Sequence, residues 1–311
     1  MKFSKHGTVL NVNKGHSGRP RSVNTPDQAG LVDQHFEENP TTSNRRASLE
    51  LNISRTSLQR IQKKLKLWPY KIQIHQELTQ YDMDRRVQQT FRINRFIELG
   101  KMDVNKIWFS DEAHFTLAGY VNKQNHRFWA KEQPHIIETA RMKPKRTTVW
   151  CALCADGIIG PFFFDENVNS ERYTEMLENE FIPLAQATDR VEGYWFMQDG
   201  ARPHRTNQVF EVLDEHFHGR VLGLGYEEKG SGLDWPPYSP DMNPCDFFLW
   251  GYLKEQVYRS APRTIAELQE RVRIEIGKIS RATLSEVARS FQDRLKAVDE
   301  AEGGHIEQYV H

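Results

Sequence analysis

The chain has 311 residues, no formal net charge and only three cysteines. It also has no apolar run near the about 18 residues that a membrane-crossing helix requires. Three cysteines exclude a disulfide-framed secreted scaffold. Cys151 and Cys154 form a lone C-x-x-C, with no second pair and no nearby histidine to complete a zinc tetrad. They sit in an apolar run and read as ordinary strand residues. No secretory pattern opens the chain, so the expectation is a soluble, intracellular protein with reduced thiols and no membrane contact.

The zero net charge hides an uneven distribution. From Met1 to Lys71, 13 Lys/Arg stand against 5 Asp/Glu, and the rest of the chain carries the compensating acidic surplus. A basic head on a mildly acidic body points to a nucleic-acid-binding module joined to something else. The length suggests about two domains.

Within the head, Gly18-Arg19-Pro20-Arg21 is extended and doubly cationic, suited to a narrow A·T minor groove or to a plain linker. Thr25-Pro26-Asp27 starts a helix, and Asn39-Pro40 ends it. Leu31, Val32 and Phe36 form its apolar stripe. Ser43 starts a second helix carrying Ala47, Leu49 and Leu51. Asn52-Ile53-Ser54 turns the chain into a third, whose inward residues are Leu58, Ile61 and Leu65. Its opposite face is basic and polar. A three-residue turn before such a helix reads as helix-turn-helix. Arg55, Thr56 and Gln59 would then approach base edges, and Arg60, Lys63 and Lys64 phosphates. A solvated three-helix bundle is the alternative.

Residues 76–105 read as a charged helical connector, with Val87, Phe91, Ile93 and Phe96 irregularly spaced. Beyond it, Ile107-Trp108-Phe109-Ser110-Asp111-Glu112 predicts a buried strand ending in acid. Residues 125–130, 147–155 and 158–164 predict further strands. Residues 171–187 predict a helix burying Tyr173, Met176, Leu177, Phe181 and Leu184. Tyr194 to Asp199 repeats the apolar-strand-then-acid pattern. A helix over 206–217 and a short strand over 221–224 follow. After a Gly-rich stretch comes Trp235-Pro236-Pro237-Tyr238-Ser239-Pro240-Asp241-Met242-Asn243-Pro244-Cys245-Asp246. Its prolines stiffen the approach to a helix with Asn243 as N-cap and Asp246 in the first turn. Helices from Thr264 complete a mixed α/β body.

Each of Asp111, Asp199 and Asp246 alone reads as structural, Asp246 as a helix-capping acid. Together they read differently. If the two strands are neighbours, Asp111 and Asp199 emerge at one edge, and a helix across the sheet brings Asp246 to them. Three converging carboxylates repel unless cations bind. Their hard oxygens favour two Mg²⁺ or Mn²⁺ ions, the apparatus of displacement at phosphorus.

Phe109-Ser110-Asp111-Glu112, Gln198-Asp199-Gly200-Ala201-Arg202-Pro203-His204 and Tyr238-Ser239-Pro240-Asp241-Met242-Asn243-Pro244-Cys245-Asp246 resemble, in order, the motifs of mariner-type cut-and-paste transposases. The resemblance spans nearly the whole chain. It implies a helix-turn-helix domain (25–75), a connector (76–105) and a ribonuclease-H-like catalytic domain (106–311). It also implies Asp111, Asp199 and Asp246 as catalytic metal ligands, with Glu112 and His204 flanking them. Asp241 falls on the turn residue of its motif, expected to accept backbone hydrogen bonds. The implied activity is metal-dependent cutting and joining of double-stranded DNA at inverted repeats, by a homodimer, in the nucleus. Two departures stand out. Asp199 and Asp246 lie further apart than in most of the family. The Gly-Arg-Pro-Arg linker, which there joins two helix-turn-helix units, stands at positions 18–21, so residues 1–24 read as the remnant of a first unit. A truncated chain of this kind could also be a decayed or domesticated copy that only binds DNA.

Overall fold

The structure is a computed structural model that describes residues 25–69, 76–117 and 145–306. The expected strand over 125–130 lies outside these residues. The chain divides into two compact units, Met1–Ile74 and His75–His311.

In the first unit, helix α1 spans Pro26–Glu38, with the Thr25 hydroxyl accepting from the Gln28 amide and Asn39 closing the other end. Helix α2 spans Asn44–Glu50 and α3 spans Arg55–Leu65, capped by Ser43 and Ser54 in the same way. Ala29, Val32, Ala47, Ile53, Leu58 and Ile61 form a small core. Two expected core residues face solvent, Leu31 at 56% and Leu49 at 77% exposure. Leu31 is one helical step, about 100°, from buried Val32, and Leu49 is two steps, about 200°, from buried Ala47, on the opposite side of α2.

The second unit opens with helix α4, Gln80–Glu98, started by a reciprocal cap between Thr79 and Asp82. The segment expected to be a connector therefore holds one helix, and that helix packs against helix α10, Arg281–Glu300. Its inward face is polar, with Asp82, Arg86, Gln89 and Thr90 buried beside Ile93.

Among the described residues the sheet has six strands in the order β3-β2-β1-β4-β5-β6. They are β1 Ile107–Thr116, β2 Arg146–Cys154, β3 Gly157–Phe164, β4 Trp195–Met197, β5 Val221–Leu222 and β6 Gly232–Leu233. The first three form an antiparallel meander, and β4, β5 and β6 add in parallel beside β1. Strand alternation sorts the side chains onto two faces. Ile107, Phe109, Trp195 and Met197 join one core with α10, α8 (Trp250–Tyr258) and α9 (Ile265–Ile276). Trp108, Trp150 and Phe196 join another with α5 (Ser170–Met176), α6 (Ile182–Ala187) and α7 (Asn207–Phe217). The mixed α/β body expected from the sequence is thus a sheet between two helical layers.

Three local expectations are corrected. Strand β1 does not end at Asp111 but runs on to Thr116, paired with β2 from Phe109↔Leu153 to Thr116↔Arg146. The antiparallel partner carries it past the polar residues. Leu184 is 47% exposed, because a π turn at Leu177–Phe181 joins α5 to α6. The extra residue rotates α6, so that Ile182 and Ala185 face inward instead. The Gly-rich segment ends in β6, a strand no periodicity announced. A Cβ at Gly232 would stand 2.0 Å from the Val221 carbonyl oxygen, so this pairing admits only glycine.

Candidate active site

Strands β1 and β4 run parallel with Phe109 opposite Met197. Asp111 and Asp199 each lie two residues further along, so they stand at one level, Asp111 inside β1 and Asp199 just past the end of β4. Asp111 shares its face with Phe109, toward α8, by strand alternation. Glu112 points to the other face, where Tyr173 and His204 lie.

Asp246 arrives from across the sheet. The helix expected from Pro244 begins instead as a π turn, Cys245–Leu249, which continues into α8. Such turns are rare and concentrate at functional sites. The expected N-cap is present in kind: Asn243 Oδ1 accepts from the Cys245 amide at 3.1 Å. The Cys245 thiol donates to the Phe109 carbonyl at 3.2 Å and ties the π turn to β1.

Each carboxylate has one oxygen held by a protein donor. Trp250 Nε1 donates to Asp111 Oδ2 at 2.7 Å. The Ala201 amide and His204 Nδ1 meet Asp199 Oδ1 at 2.9 and 2.7 Å. Asn243 Nδ2 donates to Asp246 Oδ2 at 3.3 Å. A cleft of about 420 Å³ opens here, lined in part by Asp199, Arg205, Trp235, Tyr238 and Asp246.

The electrostatics divide the three acids. Burial, then the charges of Asp246 and Glu112, push Asp111 well above the usual carboxylate range, against the Trp250 hydrogen bond. Asp246, exposed toward the cleft, is raised to about 6 by partial burial and by Asp199. Burial also acts to raise Asp199, but the His204 hydrogen bond and charge, the Ala201 amide and Arg205 bring it below its ordinary value. His204 is buried with both ring nitrogens on carboxylates, the second facing Glu112 Oε1 at 3.1 Å. Burial would lower its pKa, but Glu112 and Asp199 outweigh that and raise it to about 10. Two donating ring nitrogens make it an imidazolium. The Tyr173 ring lies 4.2 Å from the His204 ring, and Gln198 Nε2 donates to the His204 carbonyl at 3.0 Å.

Of the residues singled out in the sequence, the fold therefore brings together Asp111, Asp199, Asp246, Glu112 and His204. It separates Asp241 from them. Asp241 accepts no backbone hydrogen bond of the expected kind. It is buried, and both its oxygens accept from the Arg86 guanidinium, at 2.9 and 2.6 Å. It does lie in a turn, as expected, but its carboxylate is taken by Arg86 of α4 and not by backbone amides. Arg55, Thr56, Gln59, Arg60, Lys63 and Lys64 are exposed on α3, while Arg19 and Arg21 lie outside the described residues. Trp250, Asn243 and Arg86 were not anticipated as partners of acids. Trp250 carried a faint signal, one helical turn beyond Asp246.

Among the described residues no three donors close into a finished cation cage. Mg²⁺ and Mn²⁺ are commonly held by one or two carboxylates together with waters and substrate phosphate oxygens. The donor set is otherwise what such an ion requires, namely hard carboxylate oxygens crowded enough to raise one another's pKa.

Residues 106–269 match the family model described as DDE superfamily endonuclease. The chain is 27% identical over 205 residues to the Tc3 transposase of Caenorhabditis elegans, covering 65% of this chain and 58% of that protein. It is 26% identical over 268 residues to the human histone-lysine N-methyltransferase SETMAR, covering 81% of this chain and 35% of that one. It therefore spans little more than half the length of the first relative and about a third of the second. Among solved structures, the mariner Mos1 paired-end complex with Mg superposes with a TM-score of 0.67 at 16% identity, over 96% of this chain and 84% of that one. The catalytic domain of Mos1 mariner transposase gives 0.57 at 17% identity, over 76% and 100%. At such identities the likeness is one of fold.

Proposed function

Because the chain belongs to the DDE superfamily endonuclease family, we propose that it is a mariner-type DNA transposase, a metal-dependent endonuclease and strand transferase. The observation that supports this reading best is the parallel register of β1 and β4, which puts Asp111 and Asp199 at one level, with Asp246 near enough to raise the pKa of Asp111. An acidic centre kept intact in this way weighs against a copy that only holds DNA.

In the proposed reaction, water attacks a phosphodiester at an element end and the 3′ hydroxyl leaves; that hydroxyl then attacks a target phosphodiester and displaces the target strand's own 3′ oxygen. Asp111, Asp199 and Asp246 would hold the divalent cations, two Mg²⁺ or Mn²⁺. When bound, such cations lower the pKa of water and offset the charge that builds on phosphate oxygens. The chain's own contribution is orientation. Trp250, His204 and Asn243 each fix one oxygen of an acid, so the cluster does not reorganise as charge develops. The His204 imidazolium, bound on its far side by Glu112, keeps Asp199 ionised.

Double-stranded DNA would be engaged through α3, with Arg55, Thr56 and Gln59 toward base edges and Arg60, Lys63 and Lys64 toward phosphates, as in a helix-turn-helix. Arg19 and Arg21 would lie in the adjacent minor groove. Pairing of two element ends calls for a homodimer, in line with the paired-end complexes of the Mos1 neighbour. The place of action would be the nucleus.

The test is cleavage of supercoiled or inverted-repeat DNA by the purified full chain. Nicking is expected in Mg²⁺ or Mn²⁺ and not in EDTA or Ca²⁺. Equal nicking in EDTA would remove the metal-dependent reading.

A further inference from the structure

Asp246 stands among like charges at the rim of a cleft. A buried ion pair lies directly upstream. Arg86, on α4, is completely buried. Its Nη1 donates to Asp241 Oδ1 at 2.9 Å, to Ser239 Oγ at 2.7 Å and to the Tyr238 carbonyl at 3.1 Å. Its Nη2 donates to Asp241 Oδ2 at 2.6 Å and to the Gly304 carbonyl at 3.3 Å, and its Nε to the Gly303 carbonyl at 2.8 Å. One guanidinium thus joins α4, the approach to the π turn and the segment after α10.

From Asp241 the restraint reaches Asp246 through two tight turns. The Met242 and Asn243 amides donate back to the Ser239 and Pro240 carbonyls. The Asn243 carbonyl accepts from the Asp246 amide at 2.9 Å, and its side chain donates to Asp246 Oδ2. A second arginine acts in the same sense. Arg294, on α10, donates to the Asp241 carbonyl at 2.7 Å and lies 3.8 Å from the centre of the Phe247 ring.

We propose that Arg86 is a positioning residue for the third acid: through Asp241 it holds the Ser239–Asn243 turn where Asp246 can serve the cation site. The inference rests on the acidic-centre reading above. Stability alone is a weak reason for such a pair, since an ion pair taken out of water is often no better than apolar side chains of equal volume. What the planar fork supplies and an apolar pair lacks is fixed direction at several acceptors at once.

The experiment measures Mn²⁺ binding to the full chain by calorimetry, below the melting point of every variant, beside DNA nicking as a function of Mn²⁺ concentration. Arg86→Lys keeps the charge but loses the fork. It is expected to weaken Mn²⁺ binding about tenfold or more, the usual cost of losing an outer support of a metal ligand, with nicking recovered at high Mn²⁺. If Arg86→Lys melts early, the double variant Arg86→Met/Asp241→Leu supplies an apolar pair. It should regain the melting temperature while Mn²⁺ binding stays weak. Mn²⁺ affinity within twofold of wild type in either folded variant would overturn the proposal and leave Arg86 a stabilising residue. Asp246→Asn serves as the reference for a lost ligand. Should the wild type itself bind no Mn²⁺, the acidic-centre reading falls, and this inference with it.

Discussion

Asp241 and Asp246 stand five residues apart in one stiff stretch, yet they occupy opposite environments. Asp241 is buried against a guanidinium that satisfies both its oxygens. Asp246 is open to the cleft, beside Asp111 and Asp199, and is raised to about 6. The same side chain is a structural anchor in one place and, in the other, a carboxylate whose pKa is raised by burial and by a neighbouring acid. What differs is the charge that the tertiary structure sets against each. A carboxylate with a matched cation at hand has no need of a metal, whereas one held among its own kind does.

The sharpest way to break the comparison is to neutralise each acid in turn. Asp246→Asn should reduce metal-dependent nicking to background while the metal-free protein melts at or slightly above the wild-type temperature, because a repelling charge is gone. Retained nicking at wild-type Mn²⁺ levels would place the third ligand elsewhere.

Asp241→Asn should do the reverse to stability. Removing one partner of a buried pair leaves Arg86 without its counter-charge and should cost about 3 kcal/mol, roughly 6–12 °C in Tm. Cutting should persist at saturating Mn²⁺. A melting temperature within about 2 °C of wild type would show that the pair contributes little beyond its surroundings.

The smallest effect expected is a pH dependence. The Asp246 carboxyl is raised in the folded state, so its contribution to stability is complete below about pH 4 and is lost as pH rises through about 6. Asp111 shifts in the same direction. His204, raised to about 10, contributes fully below about pH 6.5 and loses that contribution as pH rises from there through about 10, mostly above this window and in both proteins compared. In EDTA, the melting temperature of the wild type relative to Asp246→Asn should therefore fall between pH 4 and pH 7, and Mn²⁺ should abolish the trend. A flat difference across that range would mean that Asp246 carries no raised pKa.

Much of this was legible in the sequence, for reasons that are local. Thr25, Ser43, Ser54, Thr264 and Ser280 each cap a helix by accepting from an amide three residues ahead, so the start of a helix is written within four residues. The alternation Ile107-Trp108-Phe109 and Trp195-Phe196-Met197 told of two buried faces. The three acids announced themselves by following apolar strands or a proline-stiffened turn. Helix α4 was legible as a helix but not as part of the packed body, for an equally physical reason. Its buried side carries Arg86, Gln89 and Thr90, so the apolar period that betrays most packed helices is missing from it.

Residues close in the chain thus determined by themselves where helices begin, which strands are apolar and which carboxylates are candidates. The tertiary structure alone decided that β1 runs through Asp111 instead of stopping there, because β2 supplies the partners that extend it. It decided that π turns set Leu184 outward and carry Asp246 toward β1. It also decided that Asp241 would meet Arg86, a partner 155 positions away. No pattern of neighbours can encode such a pairing. A buried charge is tolerable only when a counter-charge reaches it, and only the folded chain brings one within 3 Å.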